Sequence, residues 1–295
     1  MLSATSLPLD DRRWHFQHGP IDIVAQAEGD PVAVNQAHHA ASKRFATILP
    51  ELANELPTLR QPIATQFPCP LNGPIARTMW EACQRCSNDF ITPMAAVAGS
   101  VAQALIPFYE QPGITRAWVN NGGDIALYLT PDAKVDIGLF ADLSKLDALA
   151  LKSGIAVDGV LSIDYKMRVR GVATSGWRGR SFSLGIADSV TVLAEDAAIA
   201  DAAATVIANA VDTDHLSVER HPANSLKDDS DLGERLVTVN VPPLDENTIH
   251  RALQQGLQQA LRLQQCGLIT HCILTCQGWV VTTDDSPRIT RHLTQ

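Results

Sequence analysis

Asp201 and Thr205 stand four residues apart in Ala198-Ile-Ala-Asp-Ala-Ala-Ala-Thr-Val-Ile-Ala-Asn-Ala-Val211, a run that is otherwise small and apolar. Residues at that spacing share one face of an α-helix, so the carboxylate and the hydroxyl point the same way. Asn209 continues the stripe. Mg²⁺ takes a few hard oxygen ligands of this kind from a protein and fills its shell with phosphate and water. The same spacing also suits a solvated polar stripe on an amphipathic helix, and spacing by itself leaves both readings open.

Three other constellations carry chemical meaning. Asn120-Asn121-Gly122-Gly123-Asp124 separates two strand-like segments. Its paired glycines admit positive φ or the close approach of a ligand. The Asp124 carboxylate accepts hydrogen bonds of the kind a ribose or ring nitrogen donates. Asn-Gly is equally the strongest short signal for a hairpin turn. Next, Thr174-Ser175-Gly176 ends an alternating stretch, 161 to 174, on which Lys166, Arg168 and Arg170 share a face by period two. Arg178 and Arg180 follow, and no acidic residue lies between Asp164 and Asp188. A basic segment ending in hydroxyls and backbone N–H groups suits phosphate or pyrophosphate; a solvated outer sheet face is the alternative. Last, Cys83-Gln-Arg-Cys86 is a CxxC, and Cys272 and Cys276 follow His271. Such groups serve zinc or redox chemistry. Here the first pair falls inside a helical pattern and the second on one face of a core strand, where free cysteine is a small hydrophobe. The histidines show no ligand-like spacing, and no Walker loop, GxGxxG, HExxH or GxSxG occurs.

The elements that must position these residues are legible in outline. Two strands flank a turn at His18-Gly19-Pro20. Asp30-Pro31 opens a helix running to about Pro50, or in two pieces to Leu59. Helices are expected over 75–87 and 93–108, strands over 116–119, 124–129 and 135–140, and a strand over 188–194 that feeds the Asp201 helix. Residues 141–160 are ambiguous. An exposed acidic loop at 225–234, a strand at 235–241, a helix at 245–263 and a last strand at about 270–283 complete the chain. Strands and helices mix without regular βαβ alternation, so the class is α+β. The 295 residues, 45% hydrophobic, suffice for one large domain or two intimately packed ones.

The net charge of −9 argues against sequence-independent binding to nucleic acid or to an anionic membrane. There is no basic-then-apolar leader and no run of about 18 apolar residues, so a cytoplasmic protein without a membrane span is expected. Six cysteines in so long a chain are too sparse for a disulfide scaffold. Homo-oligomerisation is left open.

Taken in order, Thr92-Pro-Met-Ala-Ala-Val-Ala-Gly99, Asn121-Gly-Gly-Asp124, Ala173-Thr-Ser-Gly176, Ser183-Leu-Gly-Ile-Ala-Asp-Ser-Val-Thr-Val-Leu-Ala194, Ala200-Asp-Ala-Ala-Ala-Thr205 and Asp231-Leu-Gly233 resemble the ApbE-like superfamily, most closely its UPF0280 branch. The resemblance implies a single ApbE-like domain over 1–295, with mixed and antiparallel sheets and packed helices. It also implies the chemistry of FAD:protein FMN transferases, in which Mg²⁺ and a cleft bind FAD and the FMN half passes to a Thr or Ser of a target protein. By that resemblance Asp201 and Thr205 ligate Mg²⁺. Gly122, Gly123, Asp124, Thr174, Ser175 and Gly176 contact the flavin, FAD or FMN, as the phosphorylated small-molecule ligand. Two departures stand out. Transferases carry a Lys-Gly in the helix where this chain has Gly99-Ser100 and Gln103. They also carry a His-Ile-Ile-Asp-Pro-like segment where it has Ser181-Phe-Ser-Leu-Gly185. A non-catalytic cofactor binder, or a cysteine-based thiol or sulfur-transfer enzyme, are the alternatives.

Overall fold

Alternation fixes the first strands. The computed structural model describes residues 3–64, 67–86, 89–139, 159–284 and 290–291. It opens with β1 (Thr5–Pro8), β2 (Arg13–His18) and β3 (Ile21–Gly29) as an antiparallel meander. Trp14, Phe16 and His18 on β2, and Ile21, Ile23, Ala25 and Ala27 on β3, all turn inward, as period two requires. Asp30 caps α1 (Pro31–Leu59), its carboxylate accepting the Ala33 N–H at 2.9 Å; loss of such a cap costs about 1 kcal/mol. The helix runs unbroken through Pro50 and Pro57, where the sequence suggests an end or a break. Its buried face, from Ala37 through Phe45 and Ile48 to Leu52 and Leu59, spans the proline. Burying such side chains is worth about 1.5–3 kcal/mol each, which outweighs the single ladder bond lost at Pro50.

Next come α2 (Pro74–Cys86), a 3₁₀ turn Pro93–Ala96, α3 (Val97–Leu105) and a second 3₁₀ turn Ile106–Tyr109. The one helix expected over 93–108 is therefore three pieces. Strands β4 (Ile114–Asn121) and β5 (Asp124–Leu129) follow, then β6 (Lys134–Leu139) paired with β7 (Gly159–Asp164), and β8 (Gly171–Ser175). The ambiguous stretch 141–160 lies outside the described residues up to 158.

The single strand expected over 161–174 is two. Asp164 accepts the Met167 N–H through both its backbone oxygen (3.2 Å) and Oδ1 (3.0 Å), turning the chain after β7. Lys166 sits in that turn and Arg168 and Arg170 in the irregular segment beyond it, so the three do not line one strand face.

The remaining elements are β9 (Ser189–Ala194), α4 (Ala197–Ala210), β10 (Glu219–Pro222), the short α5 (Ala223–Leu226), β11 (Leu236–Asn240), α6 (Glu246–Gln265), β12 (His271–Cys276), β13 (Trp279–Thr282) and β14 (Thr290–Arg291). All six residues of β9 are buried, as in a strand covered on both faces. The last expected strand is a hairpin. Gln277 and Gly278 both take positive φ, 46° and 80°, as a two-residue turn matched to strand twist requires. The sequence there lacks the Asn-Gly or Asp-Gly that announces one.

The chain divides into two compact units. The first comprises Met1–Val135, Ile163–Ala173 and Leu193–Ala202; the second comprises Asp136–Ser162, Thr174–Val192 and Ala203–Gln295. In the first, the strand order runs β1-β2-β3-β4-β5-β8. There α1 packs on β2 and β3, and α3 on β4 and β5. In the second, α6 packs on the β12–β13 hairpin, capped by Asp245, whose Oδ1 accepts the Thr248 N–H at 3.0 Å. Helices and mainly antiparallel strands mix in the α+β manner. Among the described residues, no helix is long and apolar enough to cross a membrane.

Candidate functional site

In the first unit, β4 and β5 join through Gly122 and Gly123, with Asn121 opposite Asp124 in the register. Both glycines take positive φ, 69° and 113°, the signature of a type I′ hairpin. The Asn120 side chain accepts the Gly123 N–H at 2.8 Å and pins the turn. Asn121 faces inward, and its Nδ2 donates to the Ala98 carbonyl at 3.1 Å, tying the turn to the first residues of α3.

Helix α3 has no side-chain cap of its own, because Ala96 occupies the cap position. Its orphan N–H groups are met from outside. The Gly99 N–H donates to Asp201 Oδ2 at 2.8 Å, and Ala98 N–H donates to the same carboxylate. A carboxylate there is also favoured by the positive end of the helix dipole. Gly99 makes this approach possible: a Cβ on it would stand 2.2 Å from the Ala197 oxygen and 2.8 Å from Asp201 Cβ. In the opposite sense, Gln103 Oε1 accepts the Ala198 N–H at the start of α4, at 3.0 Å. Asp196 Oδ1 accepts the Ile199 N–H at 2.8 Å.

The electrostatics of Asp201 are distinctive. Burial holds its pKa well above the ordinary carboxylate value, the negative charge of Asp124 pushes it further the same way, and the Gly99 and Ala98 N–H groups offset only part of this. Asp124 and Asp201 both keep partial solvent exposure. Two carboxylates placed to repel one another form a site that a cation would relax. Among the described residues no cluster of three or more His, Cys, Asp or Glu could hold a metal.

The other sequence-predicted residues belong to the second unit. Thr205, partly exposed, lies one turn beyond Asp201 on α4. Asn209 does not extend an open polar stripe. Its Oδ1 accepts the Leu184 N–H at 2.9 Å and the Ser183 hydroxyl at 3.3 Å, so it braces the Ser183–Leu184 segment. Thr174 is exposed, with its hydroxyl 2.9 Å from that of Thr191. Ser175 is half-buried. Gly176 is required by packing: a Cβ there would lie 2.4 Å from the Asp188 oxygen.

The basic segment is dispersed. Arg170 donates to the carbonyls of Tyr165, Met167 and Val169. Arg168 pairs with Glu195 at 3.1 Å. Arg178 Nε donates to Asp188 Oδ1 at 2.9 Å while its guanidinium lies 4.7 Å from the centre of the Trp177 ring. An open cavity of about 470 Å³ lies elsewhere in the first unit, along Asp10 to Arg13 and Gln26, and none of the predicted residues lines it.

All six cysteines are free thiols, and Cys83, Cys86, Cys272 and Cys276 are buried. Burial pushes the Cys272 thiol up, and burial together with the Asp188 charge pushes Cys276 up to about 12. Those two thiols stay protonated at neutral pH, whereas thiol chemistry needs a thiolate.

Sequence reasoning missed the roles of Gln103, Asn121 and Gly99. Only Gly99 leaves a trace, as a glycine within an Ala-rich helix that can lie close to another backbone.

The chain is similar to known proteins. The family described as AbpE bacteria matches residues 5–282. A UPF0280 protein of Methanosarcina acetivorans is 32% identical over 212 residues, covering 70% of this chain and 75% of that one. A UPF0280 protein of Methanothrix thermoacetophila is 38% identical over 141 residues, covering 48% of this chain. That match spans 54% of the relative's length, about half of it. Among solved structures, a mutant of the flavin transferase ApbE from Vibrio cholerae aligns over 92% of this chain and 94% of its own, with 12% identity and a TM-score of 0.44. The ApbE protein of Thermotoga maritima aligns over 99% and 97%, with 13% identity and a TM-score of 0.43.

Proposed function

We propose, proceeding from the fact that this chain belongs to the AbpE bacteria family and to the UPF0280 proteins, that it handles a phosphorylated flavin, FAD or FMN, in a Mg²⁺-dependent way. The observation that carries the reading is the Asp201 carboxylate, held by the N–H groups of α3 with the Asp124 charge beside it. In this reading Asp201 holds the ion, with Thr205 one turn further along α4. Gly122, Gly123 and Asp124 contact the ligand, as do Thr174, Ser175 and Gly176. Mg²⁺, when bound, neutralises charge on a phosphoryl group. The chain's own part is to orient. The Gly99 and Ala98 N–H groups fix the Asp201 carboxylate, and the Asn120–Gly123 bond holds the turn that presents Asp124.

The test is direct. The protein is incubated with FAD and Mg²⁺, and FMN, AMP and flavinylated protein are sought by mass spectrometry beside the thermal shift. Turnover that disappears in D201A supports transfer. Neither product nor any ligand-dependent shift refutes the reading.

A second reading, a binder without catalysis, is favoured by one observation. The Gln103 side chain, standing in the helix where transferases carry a lysine, is engaged with Ala198. A shift of a few degrees with FAD or FMN, without product, separates it from the first.

A further inference from the structure

We propose that Gln103 is a positioning residue for the Asp201 carboxylate, acting through its hydrogen bond to the Ala198 N–H. The inference rests on reading Asp201 as a metal ligand. Gly99 and Gln103 lie four residues apart, one turn of α3; Ala198 and Asp201 lie three apart, one turn of α4. Two hydrogen bonds join these four residues in opposite senses. Gly99 N–H runs to Asp201 at 2.8 Å, and Ala198 N–H runs to Gln103 at 3.0 Å. The N-terminal turn of each helix is therefore capped by a side chain of the other.

The backbones between these bonds are already in contact, since even a Cβ on Gly99 would meet the Ala197 oxygen at 2.2 Å. Together the two bonds resist sliding of the first turn of α4 along α3 and orient the Asp201 carboxylate. Without the Gln103 bond, the Ala198 N–H, on a residue 1% exposed, is left to the Asp196 carboxylate just before α4 and no longer ties α4 to α3. The first turn of α4 then loses one of the side-chain bonds that tie it to α3 and keeps the one through Asp201. The Asp201 carboxylate then serves as cap of α3 and as ion ligand without the Gln103 bond beside it. Mg²⁺ asks for oxygens near 2.0–2.1 Å in octahedral array, so a loosened carboxylate binds it less well. Residues that orient a metal ligand in this way typically change affinity by about 10–100-fold.

The experiment is calorimetric titration of MgCl₂ into the full chain. Q103M removes the acceptor and keeps the length; Q103E keeps the acceptor; A198P removes the donor at the second residue of α4, in the first turn, where no intrahelical bond is lost. I48V, a buried change on α1, controls for lost stability alone. The expected result is Mg²⁺ affinity about tenfold or more weaker in Q103M and A198P. Q103E should bind no more weakly than the wild type, and I48V should lower the melting temperature with affinity unchanged. If Q103M fails to fold, A198P reports on the same bond. Wild type that binds Mg²⁺ while both variants bind it equally well overturns the role of Gln103 and leaves the metal reading standing. Wild type that binds no Mg²⁺ overturns the metal reading and this inference with it.

Discussion

Replacing Gly99 with alanine probes the tightest contact in the candidate site. A Cβ at this position would stand 2.2 Å from the Ala197 oxygen, 2.8 Å from its carbonyl carbon and 2.8 Å from Asp201 Cβ. Two of the three atoms are backbone, so relief requires α3 and α4 to separate by roughly 1 Å, the shortfall from ordinary van der Waals contact. Overpacking of this kind costs about 1–3 kcal/mol, and alanine returns about 1 kcal/mol of helix propensity. Separation also stretches the 2.8 Å bond from Gly99 N–H to Asp201, and hydrogen bonds to charged groups are worth about 1.5–3 kcal/mol. The sum is a net destabilisation of about 1.5–5 kcal/mol, or roughly 3–20 °C in Tm for a chain of this size. Thermal melts by circular dichroism measure it, with and without Mg²⁺, and the Mg²⁺-dependent increment should shrink in the variant. A Tm equal to or above that of the wild type would refute the close helix approach, because only helix propensity would then be acting.

Other outcomes follow from the same geometry. D201N keeps an acceptor for the Gly99 N–H but removes the charge. Because the folded pKa of Asp201 is raised by burial and Asp124, its ionisation opposes folding as pH rises through that value. The ion-free variant should therefore match or exceed wild-type Tm at neutral pH yet lose any Mg²⁺-dependent shift; a retained shift would remove Asp201 from the metal site. His38, fully buried, has its pKa lowered to about 4, chiefly by burial. Its Nε2 faces the Arg12 carbonyl at 3.1 Å and must carry the proton, so Nδ1 accepts from the Tyr109 hydroxyl at 2.9 Å. The neutral ring is the folded form, so stability is complete above about pH 6.5 and falls as pH drops towards 4. Melts across that window, compared with H38N, test this, and identical pH slopes would contradict it. Native-state thiol titration should find Cys266, exposed at the end of α6, reactive, and Cys83, Cys86, Cys272 and Cys276 silent until unfolding. Rapid labelling of any of the four would reopen thiol chemistry.

The sequence makes local signals legible and leaves long-range ones hidden. Asp30-Pro31 marks its helix start, and Gly122-Gly123 marks a turn whose φ values require glycine. The run Ser189-Val-Thr-Val-Leu-Ala194 reads as a strand because β-branched residues recur in it. Helix α1 is misread at Pro50 because propensity is a local quantity, while the buried face that carries the helix past it is tertiary. The 161–174 stretch is misread as one strand because its alternation continues through a turn made by Asp164 alone. At the candidate site, Asp201 is visible from its lone charge in an apolar helix, and the motif order points to the family. Gln103 and Asn121 leave no comparable mark, since their partners, Ala198 and Ala98, are backbone groups of other elements. The basic cluster is the reverse case: conspicuous in sequence, yet Arg168, Arg170 and Arg178 each answer to a nearby partner.

The Gly99–Asp201 and Gln103–Ala198 bonds close spans of 102 and 95 residues, which sets an order of events during synthesis. Closing loops of that length costs chain entropy before any contact repays it, and contacts so distant in sequence form slowly. Helix α3 emerges from the ribosome long before α4 exists, with its N-terminal amides satisfied by water alone. The candidate site therefore forms late in folding. It is completed only after about two-thirds of the chain has been made, and a chain interrupted before residue 197 would hold Asp124 without the partner that makes it a site.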